Sequence, residues 1–235
     1  MTFLIIKYKT HGAEIGGFRL DNAQTALKEK NSSEFDFLIK SALNLGAVEA
    51  KIIPASEIVV EDRVVLKCRV GCHMYGQKLV CPPFTPTVDE FRKMLKEYKY
   101  ALLAKFKANA EAAEDVGRSL LRNEFDPATP KELREQALKF WSDWNADKRR
   151  LHLAALELEK VAFNRGYTLA VAFTPGSCVL CEKCNVKGVC VHPTMARYPE
   201  HALGVNMKKT AEKAGMAVTF PFQKRPSPIL MVLID

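Results

Sequence analysis

Seven cysteines fall in two short windows, Cys68 to Cys81 and Cys178 to Cys190. Core burial alone does not cluster cysteine in this way, so both windows read as ligand sets. The second runs Cys178-x2-Cys181-x2-Cys184-x5-Cys190, with Pro193 just beyond it. Three thiolates at successive two-residue gaps let one loop wrap three corners of a cubane, as in the bacterial ferredoxin run, whose last gap is two residues shorter. A structural zinc site uses two separated C-x2-C knuckles, each giving two tetrahedral vertices, and three cysteines in a row do not suit that geometry. The expectation is iron–sulfur ligation, with zinc as the alternative and free thiols behind both.

The first window is Cys68-x3-Cys72-x8-Cys81-Pro82-Pro83, with His73 after the second cysteine. Its spacing says less by itself. It fails the C-x3-C-x2-C pattern of a radical SAM site at the third cysteine, and the C-x2-C-H pattern of c-type haem attachment by one residue. Buried cysteines flanking a turn are the plain alternative. If both windows hold cubanes, eight ligands are needed and seven cysteines are present. In one arrangement Cys178, Cys181, Cys184 and Cys190 hold one [4Fe-4S] cluster, while Cys68, Cys72 and Cys81 hold another with one iron open to water, a small-molecule ligand or His73. In a ferredoxin-like arrangement Cys190 crosses to the other group, and a single cluster held jointly is a third. An open iron acts as a Lewis acid, whereas fully ligated clusters only pass electrons to a redox protein partner.

Beyond the cysteines themselves, the chain resembles a family of uncharacterised predicted metal-binding proteins, a domain of unknown function widespread in anaerobic archaea and bacteria. The resemblance rests on Leu66-Lys67-Cys68-Arg69 with Cys72, on Tyr75-Gly76, and on Cys81-Pro82-Pro83 with Pro86. It continues through Phe91, Tyr98 to Leu103, Cys178-x2-Cys181-x2-Cys184 with Cys190, Pro193, Ala196-Arg197, Ala202 to Val205 and Thr210-Ala211. It covers roughly residues 34 to 235 and departs at His73 and at Tyr198-Pro199-Glu200. It implies metal ligation in anaerobic metabolism and supplies no established reaction.

The elements that must position these loops follow from periodicity and caps. Ser33 to Leu45 reads as a helix with Phe37, Leu38, Ala42 and Leu45 on one face, and Val48 to Ile53 as a strand. Val64 to Cys68 alternates and is expected to be a strand delivering Cys68. Thr87 with Glu90 is a capping box opening a helix to Glu97, and Tyr100 to Phe106 is a buried strand. A helix is expected around Ala110 to Leu121. Thr129, Pro130 and Glu132 open a long helical region ending near Gly166, either one helix or two, because Ser142, Asp143, Asn145 and Asp147 are poor helix-interior residues. Thr168 to Phe173 is a strand running into the second cysteine window, Val205 to Ala214 a helix and Ile229 to Ile234 a buried strand. Intermingled helices and strands give an α/β sandwich with a mixed β-sheet flanked by helices and cysteine-bearing loops at strand ends. Residues 1–33 form an N-terminal extension without assigned function, and residues 34–235 the metal-binding domain.

Composition sets the frame. At 235 residues, 48% hydrophobic and 26% charged, the chain is long enough for a core that needs no metal to hold it together. Cysteine is too sparse for a disulfide scaffold, no run reaches the roughly 18 apolar residues of a membrane span, and the apolar start is broken by Lys7 and Lys9. A cytoplasmic protein is expected, where clustered thiols signal metal or thiol chemistry. The net charge of +8 admits a rival reading, a structural zinc module contacting nucleic acid or a protein partner. The basic groups, Lys105 with Lys107, Lys148 to Arg150 and Lys208-Lys209, are scattered, so nucleic acid is disfavoured. Arg69 and Arg197 could offset cluster charge, His192 could ligate or donate to sulfur, and Trp141 and Trp144 suit core packing. His11, His152 and His201 show no partner pattern.

Overall fold

A strand written Ile-Leu-Met-Val-Leu-Ile has no polar side to turn to water, so it belongs in a sheet covered on both faces. In the computed structural model, which describes residues 34–114, 116, 127–220, 222 and 224–235, all six of its residues are buried. This is β4 (Ile229–Ile234). It pairs with β2 (Tyr100–Phe106) on one side and β3 (Val171–Phe173) on the other, and β1 (Ala47–Pro54) extends the sheet beyond β2, giving the order β1-β2-β4-β3. Residues Asp36–Asp235 form one compact unit. Both cysteine windows belong to it, and the extension expected over residues 1–33 lies outside the described residues.

The sheet splits its apolar residues by pleat. Ala101 and Leu103 of β2 stand in register with Leu233 and Met231 of β4, and with Ile53, Phe173 and Ile229 they form one buried face. That face packs on Phe91 of α3 (Val88–Leu95), on Leu203 and Val205, and on Ala211 of α5 (Met207–Lys213). The alternate residues Leu102, Ala104, Leu230 and Val232 are equally buried on the other face. There lie α1 (Asp36–Asn44), through Leu38 and Ala42, and α4 (Lys131–Phe163), through Leu151, Ala155 and Leu158. The α/β class expected from the sequence is present. Within the sheet, however, every strand pairing is antiparallel, where mixed directions were expected. Alternating helices and strands fix the layering but not the strand direction. Here α2 (Asp62–Gly71) and α3 together return the chain so that β2 runs back along β1.

Most boundaries fall within two residues of expectation. Thr87 caps α3, its hydroxyl accepting from the Glu90 amide while Glu90 reaches back to the Thr87 amide at 2.7 Å. Most of the helix expected around Ala110 to Leu121 lies outside the described residues. Two readings change. The strand expected over Val64 to Cys68 is a helix, α2 (Asp62–Gly71). Its acidic Asp62 at the start and basic Arg69 at the end suit the helix dipole, and its apolar residues are not all inward, since Leu66 and Val70 are exposed. The region Lys131–Phe163 is one helix of 33 residues, about 50 Å long at 1.5 Å per residue. Asp147, a poor interior residue on propensity, is retained because its fully buried carboxylate accepts from the amides of Asn109 and Ala110, both at 2.8 Å, and pairs with Arg150. No helix among the described residues is long and apolar enough to cross a membrane.

Candidate metal centre

Because Cys68 lies inside α2 and Cys72 is the residue that ends it, the C-x3-C spacing puts both at the same face of the helix terminus, one turn apart. The chain then folds back through turns closed by Tyr75 N–H to Cys72 O at 3.1 Å and Gly76 N–H to Pro82 O at 2.9 Å. Gly76 has φ +68, a left-handed conformation that a side chain would strain. Cys81 arrives in this way opposite the helix end. Cys68 and Cys81 are buried and Cys72 is exposed, and all three line one cavity.

The second window leaves β3 through Gly176, whose φ of +98 turns the chain sharply and whose missing Cβ leaves room for the Lys148 side chain, 3.3 Å away from that position. Cys178, Cys181, Cys184 and Cys190 are each half-buried, and together they line a second, small pocket. Between residues 175 and 183 no backbone amide or carbonyl bonds to another backbone group among the described residues. The knuckle is instead held from outside. The Leu79 amide donates to Cys184 Sγ at 3.4 Å, and the Lys78 ammonium donates to the Cys181 carbonyl at 3.0 Å. The two windows are therefore neighbours, joined by the loop between Cys72 and Cys81.

Helix α4 anchors the far side of the same loop. Lys148 donates to Ser177 Oγ at 3.4 Å, His152 Nε2 bonds the Met195 carbonyl at 2.6 Å, and Glu159 pairs with the Arg197 guanidinium. Glu159 also accepts from the Ala172 amide of β3 at 2.8 Å. These residues stand four and seven apart, a single face of the helix. Sequence reasoning gave His152 no partner and did not single out Glu159. The sequence shows only that these polar residues form a row beside the core stripe of the helix, which marks a face and not its partners. Arg197, considered as a cation for the clusters, is instead committed to Glu159, and Arg69 is exposed. Of the residues weighed as extra ligands, His73 lines the first cavity and His192 the second.

The cations at the cysteines are Lys78 and Lys148. Lys78 is only 8% exposed, and no carboxylate among the described residues pairs with either ammonium. A buried ammonium needs a compensating negative charge. Burial lowers the pKa of Lys148, with Lys78 adding to the effect while Cys81, Cys178 and Cys72 oppose it. Burial pushes the Cys81 thiol up to about 12, with Cys72, Cys68 and Cys178 adding to the rise. It likewise raises Cys68 and Cys178. Thiols held this high are poor free nucleophiles, and they become thiolates by exchanging a proton for a metal. Among the described residues no group of three or more His, Cys, Asp or Glu is disposed to hold a single metal ion. The cysteines surround two pockets instead of meeting at a point.

The sequence matches the family described as predicted metal-binding protein (DUF2284) over residues 51–234. The chain belongs to that family. The match begins in β1 and ends in β4, so it takes in both cysteine windows, α4 and all of the sheet but the first half of β1. Metal binding is thus the property the family assigns to the domain that carries all seven cysteines. No curated protein and no solved structure matches the chain.

Proposed function

We propose that this chain is an iron–sulfur protein of anaerobic metabolism, cytoplasmic, in which Cys178, Cys181, Cys184 and Cys190 hold one [4Fe-4S] cluster and Cys68, Cys72 and Cys81 hold a second with one iron open. The observation that carries the reading is the pocket lined by all four cysteines of the second window and walled by a buried lysine without a carboxylate partner among the described residues. The thiolates of a bound centre are the anionic partner Lys78 lacks, and the ferredoxin-like spacing favours a cubane over the zinc alternative. When bound, such clusters supply reversible electron storage, and an open iron supplies Lewis acidity.

The chain's own residues set the conditions for that chemistry. The Leu79 amide aimed at Cys184 Sγ and the Lys78 ammonium beside it both favour added negative charge, which raises a reduction potential. Lys78→Met is expected to lower the potential of the second-window cluster by some tens of millivolts without loss of fold, as read by redox titration; an unchanged potential would remove Lys78 from this role. The adjacency of the windows suits electron passage between two centres and onward to a redox protein partner. The nucleic-acid rival loses support because most of its basic groups are engaged elsewhere. Lys105 pairs with Glu49, Lys209 with Glu61, Lys208 with Glu212 and Arg150 with Asp147. Electron paramagnetic resonance of the dithionite-reduced, anaerobically purified chain tests the proposal. Signals from paramagnetic reduced clusters are expected, and a silent, zinc-loaded protein contradicts it.

A further inference from the structure

The cavity against the first cysteine window is far larger than three metal ligands require. It offers about 360 Å³ of space to a bound molecule, within the range of small-molecule sites. Cys68, Cys72 and Cys81 form one end. The facing wall is α4, from which Leu138, Trp141, Asn145 and Lys148 all line the space. Their spacings of three, four and three put them on one stripe of the helix, apolar at its start and polar at its end. Trp144 and Ser177 complete the wall.

The chemistry of that lining is selective. Among the described residues no Asp, Glu or Arg lines the cavity, whose basic groups are Lys148, His73 and His201. Lys148, the ammonium among them, has Ser177 Oγ as a neutral partner at 3.4 Å. A single ammonium with an amide and a hydroxyl beside it suits a carboxylate, whereas phosphate sites draw on Arg forks or several backbone amides. The indoles of Trp141 and Trp144 offer flat apolar area to a planar body. We propose that this cavity binds a small organic carboxylate with a planar apolar body, its carboxylate at Lys148 and Asn145, its body against Trp141 and Trp144, and its other end facing Cys68, Cys72 and Cys81. The inference rests on the proposed function only in taking those three cysteines as metal-held; the carboxylate end of the site is built from residues that ligate nothing.

The only two tryptophans of the chain both line this cavity, so intrinsic fluorescence reports on it. Benzoate is the probe, and benzyl alcohol its uncharged counterpart, titrated into the anaerobically purified full chain with calorimetry alongside. Saturable benzoate binding with a Kd of about 1 mM or tighter is expected, with benzyl alcohol at least about tenfold weaker. Lys148→Met is expected to weaken benzoate about tenfold and leave benzyl alcohol unchanged, with circular dichroism confirming the fold. Asn145→Ala, at an exposed position, serves as the second variant and is expected to weaken benzoate several-fold. No saturable binding, equal affinity for the two probes, or a folded Lys148→Met that binds benzoate like the parent overturns the proposal. Iron and sulfide counted on the same sample separate the two claims. Benzoate binding by a zinc protein without sulfide contradicts the cluster assignment alone, and clusters without benzoate binding contradict this inference alone.

Discussion

Cys181→Ala combined with Cys184→Ala, which leaves the second window two thiolates where the first keeps three, is expected to remove about half of the bound iron and sulfide, from about eight of each per chain to about four, leaving the first-window cluster in place. Cys184 is the middle of the convergence. It lines the four-cysteine pocket, it receives the Leu79 amide, and it follows a stretch of loop with no backbone hydrogen bonds of its own. Such a loop gains its order from what it binds, because a site without preformed bonds couples metal binding to local folding. The variant is therefore also expected to open residues 175–195 to proteolysis while the sheet stays protected. Cys81→Ala gives the mirror result, losing the first-window cluster and keeping the other. Full iron retention in the double variant would contradict the assignment of four cysteines to one cluster. Loss of all iron in both variants would indicate a single shared cluster.

Glu159→Gln is expected to destabilise the protein by about 2–3 kcal/mol, equivalent to a fall in Tm of about 5–10 °C for a domain of this size. The carboxylate satisfies the Ala172 amide of β3 and two guanidinium nitrogens of Arg197, and the two side chains are only 19% and 17% exposed. An amide in its place keeps the shape but leaves the Arg197 charge half-buried without its counterion. The range is below that for a fully buried pair because solvent reaches this one. Since Arg197 fixes the end of the second cysteine loop to α4, the variant should also lose iron faster to a chelator. A change below about 0.5 kcal/mol in urea unfolding would show that the pair contributes nothing measurable.

What could be read from the sequence divides along physical lines. The strands β2 and β4 and the cap of α3 were legible because they rest on local rules: apolar runs covered on both faces, and a hydroxyl with a glutamate three residues later. The cysteine windows were legible because ligand spacing is a property of the loop itself. Helix α2 was misread as a strand because Val64 to Cys68 fits both periods over five residues, and only its charged ends separate them. The direction of the strands was not legible, since it depends on how pairs of helices return the chain. Nor were Lys78, Lys148 and Glu159. Each matters through a partner more than ten residues away in sequence, at Cys181, Ser177 and Arg197, and no local pattern marks such a pairing.

The charge reading changes for the same reason. The +8 counts every cysteine as neutral, whereas two cubanes held by seven thiolates would bring the loaded chain to about +5. The lysines buried at the cysteines are part of that balance. The most direct measurement is iron, acid-labile sulfide and zinc content of the full chain purified without oxygen. About eight irons and eight sulfides per chain, with negligible zinc, is the result expected from one fully ligated and one open-site [4Fe-4S] cluster. Stoichiometric zinc with no acid-labile sulfide would contradict it.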